Sequence, residues 1–138
     1  MNKLGFGFLR LPRLDEKDEN SVDLAKTCAL VDRFMALGGR YFDTAYTYLD
    51  GASEAAIREA VVSRYPREAF ELADKLPVWK LREAGDCERY FEEELARCGV
   101  TYFDNCLLHG LDKENYAICE RVGAFEYIRR LKAEGKAK

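Results

Sequence analysis

Four short apolar runs alternate with four stretches of helical periodicity, and no other feature of the 138-residue chain constrains its fold as strongly. The runs cover residues 4–9, 40–44, 69–75 and 102–108. Between them, apolar residues recur at three- and four-residue steps, the spacing of one buried helix face. Leu24, Cys28, Val31 and Met35 make such a stripe over 22–37, with Asn20 or Ser21 as candidate cap and Gly38-Gly39 as stop. Ala56, Ile57, Ala60 and Val61 make the next over 53–64, opened by Ser53 and followed by Pro66. Cys87, Phe91, Leu95 and Cys98 follow over 81–98, ended by Gly99, and Phe125, Ile128 and Leu131 mark a last helix over 121–133. Helices between short strands are crossovers, so the strands are expected to be parallel and the connections right-handed.

The expected fold is therefore α/β, a parallel (βα)4 unit. A closed TIM (β/α)8 barrel takes about 250 residues. Residues 1–138 are read as a single N-terminal half-barrel domain, with the C-terminal half of the barrel absent. Gly135 is placed to cap the last helix, where a fifth strand would begin. The first and fourth strands of such a half would be open edges, which invites self-association.

Composition narrows the function classes. Hydrophobic residues make up 48% and charged residues 34%, enough for a packed core and a solvated surface, which excludes a disordered chain. The net charge of −3 offers no basic excess, so nucleic acid is not an expected partner. No apolar run approaches the roughly 20 residues of a membrane helix. The segment Met1-Asn2-Lys3-Leu4-Gly5-Phe6 is too short for a signal-peptide core. Five cysteines, at 28, 87, 98, 106 and 119, include no C-x-x-C pair. A disulfide framework or a metal site is therefore not expected, and reduced thiols of a cytoplasmic protein are. The cations from Arg129 to Lys138 fit a solvated helix end.

Ionisable residues collect at the ends of three successive strands. Asp43 ends the second, Tyr48 lies in the loop after it, Lys75 ends the third and His109, the only histidine, ends the fourth. In (β/α) barrels side chains at this edge converge. Singly, each fits a cap, a surface charge or a packing role. A surface Asp–Lys pair beside an idle tyrosine would account for two of them and leave His109 unassigned.

Several segments together resemble the aldo-keto reductases. They are Leu4-Gly5-Phe6-Gly7 with Arg10-Leu11-Pro12, Tyr41-Phe42-Asp43-Thr44-Ala45 with Tyr48 and Gly51-Ala52-Ser53-Glu54, Lys75-Leu76, and Leu107-Leu108-His109. The match spans the chain but corresponds to the N-terminal half of such a protein. The resemblance implies reduction of aldehydes or ketones to alcohols with NADPH or NADH. Tyr48 would be the general acid, Lys75 its cationic neighbour, Asp43 the carboxylate holding that lysine, and His109 the group orienting the substrate oxygen. A phenol with the reference pKa near 10 donates poorly at neutrality. An ammonium about 4 Å away favours the phenolate by roughly 4 kcal/mol at an effective dielectric of 20.

The resemblance further implies that Gly7, Phe8, Leu9, Arg10 and Asp43 touch the cofactor, with Gly7 allowing close backbone approach. Trp79 is a candidate wall of the carbonyl pocket. The start and end of the chain are similar to a bacterial branch with a C-terminal iron–sulfur domain, so a cluster is expected only in an extension beyond residue 138. In the family, strands five to eight hold most of the cofactor. The chain is accordingly read as a fragment of a full reductase with little activity alone. A cofactor-binding regulatory subunit, an inactive half-barrel and a plain structural module remain the alternatives.

Overall fold

The computed structural model describes residues 4–138. The N-terminal residues 1–3, on which the signal-peptide reading partly rests, lie outside them. Four parallel strands, β1 (Gly5–Gly7), β2 (Tyr41–Asp43), β3 (Glu71–Leu76) and β4 (Asn105–Leu108), form one sheet in sequence order. The connections carry α1 (Leu24–Ala36), α2 (Ala52–Ile57) and α3 (Gly85–Cys98), and α4 (Lys113–Val122) and α5 (Ala124–Ala133) follow β4. The expected four-stranded parallel α/β architecture is present.

The period of two along each strand gives the sheet unlike faces. Phe6, Phe42, Leu72, Asp74, Leu76, Cys106 and Leu108 point into the helix layer and are buried or half-buried. Gly7, Tyr41, Asp43, Glu71, Lys75, Asn105 and Leu107 share the other face and keep solvent contact. The core sits under the first face. Phe34 meets Phe42 edge-on at 5.3 Å, Phe8 packs against Phe42 at 6.1 Å, and Phe91 meets Phe103 at 5.7 Å. Such offset ring pairs contribute about 0.5–1.5 kcal/mol beyond their buried area.

Several local expectations change. The cap of α1 is Asp23, whose carboxylate accepts from Lys26 N at 3.0 Å, rather than Asn20 or Ser21. Leu24 is exposed, and Thr27, Val31 and Phe34 form the buried stripe. Ser53 is not a cap; α2 starts after Gly51 and runs into a π turn at Arg58–Val62, where Ser63 N donates to Arg58 O. The last helix begins at Ala124 rather than 121, and an unexpected helix, α4, precedes it. Asp112 caps α4, and Gly123, at φ 73, separates it from α5. On α5 the enclosed residues are Ala124, Tyr127 and Leu131, with Phe125 and Ile128 half-buried.

Past α5, Gly135 turns the chain at φ 72. Lys136 O accepts from Phe103 N at 3.0 Å, and Lys138 N donates to Phe103 O at 3.3 Å. Phe103 and Ala137 thus pair in parallel, beside β4, where a fifth strand belongs. Nearby, buried Asp104 accepts from Arg67 and Lys138, both at 2.6 Å, and from Leu72 N at 2.9 Å.

The junction of α1 and β2 leaves no room for a side chain at Gly39, where a Cβ would lie 2.4 Å from the Phe34 ring. Gly39→Ala is expected to destabilise the chain by about 1–3 kcal/mol, as overpacking of a filled core does. Urea unfolding measures this, and an unchanged midpoint would contradict the packing.

Candidate active site

The open face of the sheet carries the candidate site at its C-terminal rim. The register aligns Asp43 with Ala73, so Lys75, two residues on, leaves β3 on the same face. Lys75 Nζ donates to Asp43 Oδ1 at 2.5 Å and to the Thr44 carbonyl at 2.6 Å. The lysine side chain is only 11% exposed, so its charge is largely out of water and depends on those two oxygens. The same ammonium lies 4.5 Å from the centre of the Tyr48 ring, within cation–π range. The His109 ring meets Tyr48 edge-on at 5.5 Å and the Trp79 ring at 5.1 Å. Asp43, Tyr48, Lys75, His109 and Trp79 therefore converge on one rim.

The loop that presents Tyr48 is fixed from both sides. Tyr48 opens a short turn, Tyr48–Gly51, in which Leu49 and Asp50 take left-handed backbone at φ 50 and 51. That conformation costs residues with a Cβ on the order of 1–2 kcal/mol each. Burial of Leu49 in the core opposes it. Just beyond, the Ser53 hydroxyl donates to the Phe8 carbonyl at 3.0 Å and shares a 2.7 Å hydrogen bond with the Thr44 hydroxyl. The loop is thereby tied to the ends of β1 and β2.

His109 sits in a setting that disfavours its cationic form. Burial lowers its pKa first, the Lys75 charge lowers it further, and Asp43 opposes the shift. The imidazole is thus neutral at pH 7, and its Nδ1 is buried without a hydrogen-bond partner. A neutral imidazole has one donor and one acceptor nitrogen for a ligand.

The loop after β1 departs from its expected role at one residue. Phe8 is fully enclosed among Phe6 and Phe42 on the helix side of the sheet. Its N–H donates to the Asp43 carbonyl and its own carbonyl accepts from Ser53, so it is a core residue with nothing free to offer a cofactor. Leu9 and Arg10 are exposed on the same loop, and Gly7 opens onto space where a Cβ would meet nothing within 4 Å.

Sequence reasoning missed the Thr44 carbonyl, since a backbone acceptor leaves no trace in residue type. It also missed the acids beneath the sheet, Glu54, Asp74 and Glu94, all fully buried. For Asp74 a signal existed: it alternates with Lys75 in a strand of period two, so one of the pair must face the helices.

A proton-detected titration of the only histidine checks the electrostatics. Its midpoint is expected below the ordinary value near 6.5. Lys75→Met should raise it part of the way back, because burial remains. Because the folded-state value of His109 is depressed, its contribution to stability is full above the unfolded value and is lost as pH falls through the folded one.

Residues 3–138 match the model of the aldo/keto reductase family. No curated protein sequence matches the chain at a significant level. Among solved structures, the chain is similar to an aldo-keto reductase from Klebsiella pneumoniae in complex with NADPH, at 25% identity and a TM-score of 0.66. That match covers 96% of this chain and 42% of the other. A Pseudomonas aeruginosa protein described as an aldo-keto reductase matches at 23% identity and a TM-score of 0.76, covering 96% and 51%. An aldo-keto reductase from a Medee basin deep-sea metagenome library matches at 22% and 0.68, covering 100% and 44%. The chain thus spans about half the length of these structures. The expectation of an iron–sulfur extension is not borne out by these matches. With the family model matched along nearly its whole length, the chain belongs to the aldo/keto reductase family.

Proposed function

We propose that this chain is a half-barrel carrying the catalytic rim of an NAD(P)H-dependent reductase of aldehydes and ketones, with Tyr48 as proton donor. The observation that carries this reading is the placement of Lys75. Its ammonium is held by Asp43 and the Thr44 carbonyl and lies against the Tyr48 ring, with His109 on the same ring. A surface Asp–Lys pair beside an idle tyrosine does not account for that arrangement.

Each residue then has a chemical task. Tyr48 gives its phenolic proton to the carbonyl oxygen. Lys75 stabilises the negative charge that develops on the phenol oxygen, and Asp43 keeps Lys75 charged and in place. Neutral His109 donates a hydrogen bond to the substrate oxygen and fixes its angle. Trp79, 37% exposed beside His109, walls the space for the carbonyl substrate. Bound NADPH or NADH supplies the hydride. Gly7, Leu9, Arg10 and Asp43 line the place for its nicotinamide end, as the open space over Gly7 allows.

The chain has no counterpart for about half of each relative's length, so activity of the 138 residues alone is expected to be small. Among the described residues the outer edge of β1 has no strand partner, and it is the place for association of two copies. All five cysteines are free thiols, in keeping with work in the reducing cytoplasm.

The test uses the 138-residue chain beside a version extended to barrel length. The extended protein should oxidise NADPH with an aldehyde substrate, and the shorter chain should bind NADPH more weakly. Tyr48→Phe in the extended protein should lower turnover by about a hundredfold or more, the usual scale for a lost acid, with NADPH affinity nearly unchanged. Retention of most of the turnover would remove Tyr48 from its role. Tight NADPH binding without any turnover in the unmutated extended protein would point instead to a cofactor-sensing subunit.

A further inference from the structure

Beneath the sheet, three elements bring acidic side chains to one spot. Asp74 is on the helix-facing side of β3, Glu54 is on α2, and Glu94 and Cys98 stand one turn apart on α3. All four are fully buried. Donor atoms of Glu54, Asp74 and Cys98 lie within 4.8 Å of one another. The Cys98 thiol donates to Asp74 Oδ2 at 3.3 Å, and Lys75 N donates to Asp74 Oδ1 at 2.8 Å. Arg97 Nη1 bonds Glu54 Oε2 at 2.9 Å, while Glu54 Oε1 is buried without a partner. Both carboxyl oxygens of Glu94 are also buried without a partner, and Asp74, then Glu54, are the charges that act on it most.

Interfaces between a helix and a sheet are normally apolar, and an unpaired buried carboxyl is costly. Without a cation, burial and mutual repulsion favour the protonated forms of these carboxyls. Burial foremost, and then Asp74, push Glu54 up to about 8. Burial pushes Asp74 up to about 7, and burial with both neighbours drives Glu94 well above the carboxylate range. A bound cation would occupy the free oxygens and replace protons with charge.

We propose that Glu54, Asp74 and Cys98 form a buried site for a thiophilic divalent cation, zinc by its donor chemistry. Zinc takes a thiolate at about 2.3 Å and carboxylate oxygens at about 2.1 Å in tetrahedral array, which sets sulfur and oxygen about 3.6 Å apart. The Cys98–Asp74 separation is already close to that. A thiolate donor selects against magnesium and calcium. Two carboxylates and a thiolate carry −3, which zinc and Arg97 neutralise together. No C-x-x-C pattern marks the site, because the donors come from three separate elements. Asp74 and Lys75 leave β3 on opposite faces, so the cation would pin β3 to α2 and α3 and leave the rim free.

Cobalt(II) reports on such a site in the 138-residue chain. One equivalent should give thiolate-to-cobalt absorption in the near ultraviolet, bleached by zinc. Cys98→Ser should abolish the band and Cys28→Ser should keep it. Zinc should raise the thermal midpoint and, in calorimetry at pH 7 in buffers of different ionisation enthalpy, release more than one proton per ion. Asp74→Asn should weaken cobalt binding about tenfold or more, as loss of a ligand does, and this variant decides should Cys98→Ser not fold. Absence of the band in the unmutated chain, its survival in Cys98→Ser, or unchanged affinity in Asp74→Asn would each overturn the site.

Discussion

The contact between Asp43 and Lys75 ties β2 to β3 on the open face of the sheet, and the rest of the rim is arranged around it. The Lys75 side chain is only 11% exposed, so protein oxygens rather than water anchor its ammonium. Its two oxygens, Asp43 Oδ1 and the Thr44 carbonyl, belong to the end of one strand, so the cation is fixed where β2 stops. Tyr48 reaches the same point through a turn braced by Leu49 in the core and by Ser53 against Phe8 and Thr44. His109 arrives from β4, its backbone N–H held by the Leu76 carbonyl at 3.0 Å. No single element holds the site; the parallel register does.

That register is itself set on the other face. Phe42 opposes Phe6 and Leu72 in the helix layer, and a slip by one residue would turn those side chains to solvent. The same slip would send Asp43 and Lys75 into the core. Burial of the aromatic cluster and convergence of the polar rim are thus one constraint, expressed on two sides of a sheet. Asp74 and Lys75 mark the division: adjacent in sequence, one faces a dry acidic cluster and the other the rim.

Much of this was legible in residue pattern. The four strands announced themselves because each is a short apolar run bounded by turn residues. The rim residues announced themselves because polar side chains at strand ends are few and fell in one order. The division at Gly123 was not legible, since 113–122 carries no clean apolar stripe; only Cys119 and Val122 are buried there. The π turn after α2 breaks helical period without any proline to signal it. Phe8 was expected at the cofactor because the resemblance puts residues 7–10 in the loop after the first strand, yet the strand's alternation turns it inward. Nothing in residue pattern marks Glu54 and Glu94 as buried, because burial of a carboxyl depends on what packs over it.

The claim at the centre of this account is that Asp43 acts by holding Lys75. A double-mutant cycle with Asp43→Asn and Lys75→Met in a barrel-length version, read as kcat/KM for aldehyde reduction, measures it most directly. Lys75→Met alone should cost about a hundredfold or more, and adding Asp43→Asn should cost little further, because both remove the same unit. Losses that multiply as independent effects would mean that the carboxylate and the ammonium do separate work, and the account would fail.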